Sequence, residues 1–349
     1  MPWISPLLEW FREHQRAMPW RAEGTPYRVW ISEIMLQQTQ VDTVIPYFER
    51  FVAAFPDVQA LAAADEQKVL KLWQGLGYYS RARNLHRCAQ VVLAEHGGEL
   101  PADYAALMKL PGLGAYTAAA VASIAFGQAV PVVDGNVLRV TSRLFELEDD
   151  IAKPKTRDAV FKRLSPAIER SGHPSDFNQA MMELGALVCR PSSPTCLLCP
   201  VNAHCQALAT GRVDELPVKT KGKAVPHKDL AAALIRRDGQ VLLVQRPTDG
   251  MLGGLWELPT VERRPREAAA KALARALPAL LGADVAIETS LGEVRHAYSH
   301  FTITVAVHAC ELPGDHDASG PQPLAWVDPT ATDQPLHKAT IKALALITD

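Results

Sequence analysis

The sequence predicts two domains in tandem, an all-α domain over residues 1–210 and an α+β domain over residues 229–349, joined by a linker at 211–228. Three observations carry this reading. Apolar residues recur at helical spacing from the N-terminus to about residue 210. The stretch 211–228 (GRVDELPVKTKGKAVPHK) then breaks the pattern with two prolines, two glycines and five lysines or arginines. Beyond it, short β-rich runs bounded by turn residues alternate with helical patterns. A length of 349 residues suits two domains of roughly 100–200 residues each.

The helices of the first domain show in Leu7-Leu8-Phe11, Ile31-Ile34-Met35 and Val41-Val44-Ile45-Phe48, with Pro56-Asp57, Gly97-Gly98, Pro101, Gly172 and Pro174 as punctuation. In the second domain residues 230–235, 241–244, 303–307 and 324–327 read as strands, with Asp238-Gly239 as a turn. Residues 266–281 and 339–347 read as helices. A chain that is 48% hydrophobic and 21% charged can bury cores and is not a disordered polymer. Its nearest approach to a membrane span, residues 118–133, is broken by Gly127, Gln128 and Pro131. The charged N-terminus lacks the apolar run of a signal peptide, so a soluble intracellular protein is expected. A net charge of −2 names no partner. Arg12, Arg16, Arg21, Arg81, Arg83 and Arg87 on helices, and Lys219, Lys221, Lys223 and Lys228 in the linker, permit nucleic-acid contact but equally suit a solvated face.

Five groups of residues carry chemistry. Cys189, Cys196, Cys199 and Cys205 form a C-x6-C-x2-C-x5-C run, a spacing that serves a structural zinc or an iron–sulfur cluster; disulfides disagree with an intracellular chain. Cys88 and Cys310 stand apart, and Cys88 sits in an apolar helix pattern. In Leu110-Pro111-Gly112-Leu113-Gly114-Ala115-Tyr116-Thr117, two glycines end one helix and open the next, baring backbone N–H groups to an anion such as a phosphate. A plain helix–helix turn has the same pattern. Val133-Asp134-Gly135-Asn136 offers an aspartate that suits a helix cap, catalysis, or both. Glu33 in SEIMLQQTQ is a carboxylate among apolar residues, with Gln37 and Gln38 a turn later. Gly75-Leu76-Gly77-Tyr78-Tyr79-Ser80-Arg81-Ala82-Arg83 interleaves aromatics with arginines, a mix that suits base stacking and phosphate contact or a pair of core tyrosines.

Together, in order and spacing, these motifs resemble the helix-hairpin-helix DNA glycosylase superfamily and, within it, the MutY family of A/G-mismatch adenine glycosylases. The resemblance runs over almost the whole chain. It implies that the four cysteines hold a [4Fe–4S] cluster. It implies that Glu33 is the acid that protonates the adenine ring, that Asp134 is the anion beside the sugar cation, and that Tyr116 and Asn136 orient them. Gln38 and Tyr78 match the wedge and stacking residues, Arg21 a DNA contact, and Gly112 and Gly114 the phosphate-binding hairpin. The chemistry asks the environments of Glu33 and Asp134 to push their pKa values apart.

Endonuclease III, similar in hairpin and cluster, carries a nucleophilic lysine where this chain has Tyr116, which implies base removal without strand cutting. The second domain resembles a Nudix fold through Gly253-Gly254-Leu255-Trp256-Glu257-Leu258-Pro259, but its R-E-x-x-E-E helix is reduced to Arg266-Glu267-Ala268-Ala269-Ala270-Lys271. One carboxylate is too few for magnesium, so binding rather than hydrolysis is expected. Ser299 and His300, after Tyr298, match the family's loop for the oxidised guanine opposite adenine. The expected partner is double-stranded DNA with A·8-oxoguanine or A·G mispairs, met by a monomer in the cytoplasm at the nucleoid. A catalytically silent mismatch binder and a nucleotide pyrophosphatase are the rival readings; retention of Glu33 and Asp134 opposes the first, the stripped Nudix helix the second.

Overall fold

Among the described residues, every element ahead of residue 227 is helical and every strand follows it. The computed structural model describes all residues except 221, 223, 314–317 and 348–349. Lys221 and Lys223 of the linker cluster lie outside the described residues. The chain divides into two compact units, Met1–Ala63 with Asn84–Gly222, and Ala64–Arg83 with Lys223–Asp349.

In the first unit, helices Ile4–His14, Gly135–Leu144, Pro154–Ser171 and Pro174–Leu187 surround a core that includes Leu7, Phe11, Val137, Leu164, Phe177 and Leu184. Helix Pro26–Leu36 starts with proline at its first position and Thr25 as its cap, Oγ1 accepting from the Arg28 backbone N–H at 3.3 Å. Helix Ala115–Ile124 is built from small residues, and Ala118 to Ala122 are all buried, so neighbouring backbones can approach closely. No described helix is long and apolar enough to cross a membrane.

The second unit holds strands β1 (His227–Arg237), β2 (Gln240–Gln245), β3 (Trp256–Glu257), β4 (Thr260–Glu262), β5 (Ala286–Ala297), β6 (Thr302–Glu311) and β7 (Leu324–Val327). The main path runs β3-β2-β1-β6-β5, with β4 also on β1 and β7 on β2; among these strand pairs of the described residues β1–β6 is parallel and the rest antiparallel. Successive residues of β1 face opposite ways, and both sides are buried. Ala231, Ala233 and Ile235 pack on helix Ala269–Leu281, while Ala232 and Leu234 share a core with Ala339 and Ala343 of helix Lys338–Leu344.

Several expectations change here. The helix expected from Arg266 begins at Ala269, because Arg266 has a positive φ of 64° and Glu267 bonds to the Arg264 backbone N–H instead of continuing the helix. β3, β4 and β5 escape the sequence pattern, since β3 and β4 are two and three residues long and β5 is mostly unburied. Residues 64–83, read as part of the first domain, pack within the second unit. Trp256 Nε1 donates to Gln67 Oε1 at 3.0 Å, Lys71 Nζ to the Thr332 carbonyl at 2.7 Å, and the Leu336 N–H to Gln74 Oε1 at 2.8 Å.

Candidate active site

Glu33 projects from helix Pro26–Leu36 and is 5% exposed. Its carboxylate accepts from the Tyr116 hydroxyl at 2.6 Å. Tyr116 lies in the first turn of helix Ala115–Ile124, so the hairpin ahead of that helix sets where the phenol sits. Burial pushes the Glu33 carboxyl up to about 7; the Tyr116 hydrogen bond opposes this, Asp134 adds to it, and Arg21 opposes it. Tyr116 is held well above the phenol range by its burial and by Glu33 and Asp134, so it stays a neutral donor.

Asp134 caps helix Gly135–Leu144, accepting from the Val137 N–H at 2.7 Å and from Asn136 Nδ2 at 3.0 Å. Cap and functional candidate are thus one residue. Burial raises its pKa, while these hydrogen bonds and the Arg139 charge lower it. Burial thus moves both carboxyls the same way. Their difference is in compensation: Asp134 has several N–H donors, and Glu33 has one hydroxyl.

Glu33, Asp134, Tyr116 and Asn136 border one cavity of about 580 Å³, large enough for a flat heterocycle with its sugar. Arg21 lines it as well, 17% exposed, with Nε donating to Gln179 Oε1 at 2.8 Å. Gln38 is exposed with a positive φ of 57° in the turn after helix Pro26–Leu36, and Gln37 Nε2 donates to Thr117 Oγ1 at 3.0 Å. Gly112 has a φ of 76°, and a Cβ there would stand 2.6 Å from the Asn84 Cβ, so only glycine fits. Gly114 is the N-cap of the helix that carries Tyr116.

The four cysteines line a single small cavity of about 30 Å³ together with Arg143. Arg143 is 2% exposed; its Nη1 lies 3.4 Å from Cys189 Sγ and donates to the Arg190 carbonyl at 2.7 Å, and its Nε donates to the Leu216 carbonyl at 2.9 Å. Cys205 Sγ points back at the Arg143 carbonyl at 3.4 Å. Cys88 and Cys310 are buried elsewhere.

Within the second unit, the Tyr78 hydroxyl pairs with Ser299 Oγ. Ser299 and His300 are exposed and border a groove of about 510 Å³ that Tyr78 also lines. Glu267, the one carboxylate left on the Nudix-like helix approach, is tied to Arg275 at 2.8 Å and held down at about 2 by that pairing first.

Residues 31–166 match the HhH-GPD family, described as "HhH-GPD superfamily base excision DNA repair protein", and residues 231–346 match the NUDIX domain. The adenine DNA glycosylase of Homo sapiens is 36% identical over 394 residues, taking in 96% of this chain and 71% of that protein. That of Buchnera aphidicola subsp. Baizongia pistaciae (strain Bp) is 34% identical over 260 residues, 74% of this chain and 73% of its own. The chain belongs to the adenine DNA glycosylase family. Among solved structures the glycosylase resembles a thermostable thymine-DNA glycosylase, with a TM-score of 0.55 and 28% identity over 60% of this chain and 96% of that one. It likewise resembles endonuclease III in a non-covalent DNA complex, with a TM-score of 0.51 and 25% identity over 60% of this chain and 94% of that one. It is a base excision repair enzyme that acts on DNA.

Sequence reasoning missed Arg139, Arg143 and Glu183. Both arginines lie in VLRVTSRL, where a cation recurs four residues apart within an otherwise apolar helix pattern, and that misfit was the available signal. Of the arginines that permit nucleic-acid contact or suit a solvated face, several are engaged by the protein itself. Arg12 pairs with Asp176, Arg16 and Arg21 with Glu183, and Arg81 is buried.

Proposed function

We propose that the enzyme hydrolyses the N-glycosidic bond of adenine mispaired with 8-oxoguanine or guanine, using Glu33 as general acid and Asp134 as the anion that stabilises the sugar cation. The observation that supports it best is the Tyr116–Glu33 hydrogen bond in a cavity that Asp134 shares. Adenine leaves poorly as an anion, so a carboxyl still protonated near neutral pH is the group needed at its ring nitrogen. Glu33, at about 7, meets that requirement. The oxocarbenium-like sugar needs a negative charge close by, and Asp134, supplied with N–H donors, can hold one. Tyr116 and Asn136 orient the two carboxyls. The base must leave the duplex stack to enter the cavity, with Gln38 and Tyr78 as wedge and stacking residues and Arg21 on the cavity wall.

Base removal alone is proposed, because a phenol at 116 cannot form a Schiff base. Cys189, Cys196, Cys199 and Cys205 fit a [4Fe–4S] cluster: four thiols border one cavity, with the Arg143 cation beside a sulfur to offset thiolate charge. Such a cluster would fasten the loop 189–205. Gly112 and Gly114 would hold a DNA phosphate at the hairpin, and Ser299 and His300 would read the base opposite adenine. The enzyme would work as a monomer at the nucleoid. The test is base release, scored apart from strand cleavage, on duplexes with adenine opposite 8-oxoguanine, guanine, cytosine and thymine. Glu33→Gln should lose at least roughly 10²–10⁴ in excision with mismatch binding kept; excision near the wild-type rate would remove Glu33 from the mechanism.

A further inference from the structure

Glu183, on helix Pro174–Leu187, borders the cavity of Glu33 yet has no part in the steps above. Its side chain is 3% exposed. A carboxylate so placed needs counter-charge and several donors to remain ionised. Arg16 supplies its backbone N–H at 3.0 Å, Nε at 2.8 Å and Nη2 at 3.0 Å. Arg21 adds Nη2 at 3.4 Å. The other Arg21 nitrogens are also fixed, Nε on Gln179 Oε1 at 2.8 Å and Nη1 on the Arg16 carbonyl at 2.9 Å, while Gln179 donates onward to Ser175 Oγ at 3.1 Å. Burial alone would raise the Glu183 pKa, but these arginine contacts hold it below the usual carboxylate range.

We propose that Glu183 is a positioning residue for base excision: it clamps Arg16 and Arg21 to the cavity wall, fixing the Arg21 guanidinium and compensating its charge beside the general acid. This deepens the reading above and rests on Glu33 as the proton donor. The charged and titratable groups that act on Glu33 are Tyr116, Asp134 and Arg21. Arg16, Asp42 and Asp176 line the same cavity, and Asp176 is paired with Arg12. Arg21 is thus the cation whose uncompensated charge would stabilise ionised Glu33 and empty the protonated form that the reaction uses. Glu183 supplies the opposing charge.

The experiment is single-turnover adenine excision by the full chain at saturating enzyme, followed from acid to alkaline pH. Wild type should lose rate as pH rises through Glu33, and Glu33→Gln should abolish that limb together with most activity. Glu183→Gln should move the limb down by about one pH unit, giving about a tenfold loss at alkaline pH and much less at acid pH. Glu183→Asp, which keeps the charge, should leave the limb in place even where the rate falls. Arg21→Gln, which does not depend on Glu183→Gln folding, should move the limb up. A limb unmoved in Glu183→Gln, or one that fails to rise in Arg21→Gln, overturns the clamp and leaves the Glu33 reading standing. A wild type without the limb removes the Glu33 reading, and the clamp with it.

Discussion

Arg139 donates Nη2 to the side-chain carbonyl of Asn136 at 2.9 Å, and this orients the amide that Asn136 turns toward Asp134 at 3.0 Å. The same guanidinium donates to the Gly185 carbonyl at 2.8 Å and to the Cys189 carbonyl at 2.7 Å. One buried cation therefore ties the cap of a helix to the first cysteine of the loop. It does so because Gly185 lets the two helices meet: a Cβ there would lie 2.6 Å from the Asn136 Cβ.

Gly185→Ala should consequently push Asn136 away from Asp134. Overpacking of this kind costs about 1–3 kcal/mol, and loss of the amide's orientation should slow excision by about tenfold or more. Thermal unfolding and single-turnover excision, measured on the same preparation, check both parts. An alanine variant with wild-type melting and rate would show that the helices slide apart at no cost and that Asn136 needs no such fit.

The pKa of Glu33 also sets a stability expectation. In the unfolded chain a glutamate titrates near ~4.3, whereas the buried Glu33 carboxyl stands at about 7. A raised carboxyl binds its proton more tightly in the folded state. Its contribution is therefore full below the unfolded value and is lost as pH rises through about 7. The loss at alkaline pH amounts to no more than about 4 kcal/mol. Glu33→Gln cannot ionise, so it should melt above wild type at pH ~8 and level with it only near pH ~4 and below, while excision is lost. Equal melting at both pH values would mean that Glu33 is not buried in this way.

Much of this was legible in the chain before any coordinates. The helical spacing, the linker composition and the strands at 230–235 and 324–327 depend on local pattern, which sequence carries directly. Glu33, Asp134 and Tyr116 are singled out by short motifs in a fixed order, and the fold adds that all three border one cavity. Glu183 is not legible, since its buried ion pair with Arg16 joins residues 167 positions apart and no local pattern encodes that; Arg139 and Arg143 bond to distant backbone carbonyls, and the cations within their helix pattern mark the misfit without naming those partners. The packing of residues 64–83 with the second unit was equally hidden. It depends on the polar ends of Gln67, Lys71 and Gln74, which read in sequence as an ordinary solvated helix face.

Tyr116→Lys tests base removal against strand cutting. It places an amine where the resemblance puts the nucleophile of endonuclease III, inside a cavity whose burial already raises the neighbouring Tyr116 and Glu33. Burial lowers a lysine's pKa, which frees part of the amine for attack on the sugar carbon. Borohydride should then trap a covalent protein–DNA adduct that wild type does not form. Glu33 nearby would hold some of the lysine protonated, so a weak adduct is expected rather than an efficient lyase. No adduct at any pH would mean that position 116 does not face the sugar carbon.

The second unit should carry lesion specificity. In the proposed reaction adenine fills the cavity around Glu33, and adenine opposite thymine is normal DNA, so the opposite base would have to be inspected elsewhere. Tyr298 packs edge-on against His296 at 4.6 Å and tilted against Phe301 at 5.0 Å between ring centres. That aromatic prop leaves Ser299 and His300 exposed at the turn, with Ser299 Oγ on the Tyr78 hydroxyl. Oxidation turns an acceptor nitrogen of guanine into an N–H donor and adds a carbonyl, and a hydroxyl with an imidazole can recognise both changes. Each good polar contact is worth about 1–3 kcal/mol of discrimination. Ser299→Ala with His300→Ala should therefore lower the preference for 8-oxoguanine over guanine by roughly tenfold or more, with excision from A·G little changed. Because the Tyr78 hydroxyl loses its partner in the double variant, Tyr78→Phe is the control: it should leave the preference largely intact if Ser299 and His300 read the base themselves. Equal slowing of both substrates would instead assign the turn to general DNA binding or to the stability of the second unit.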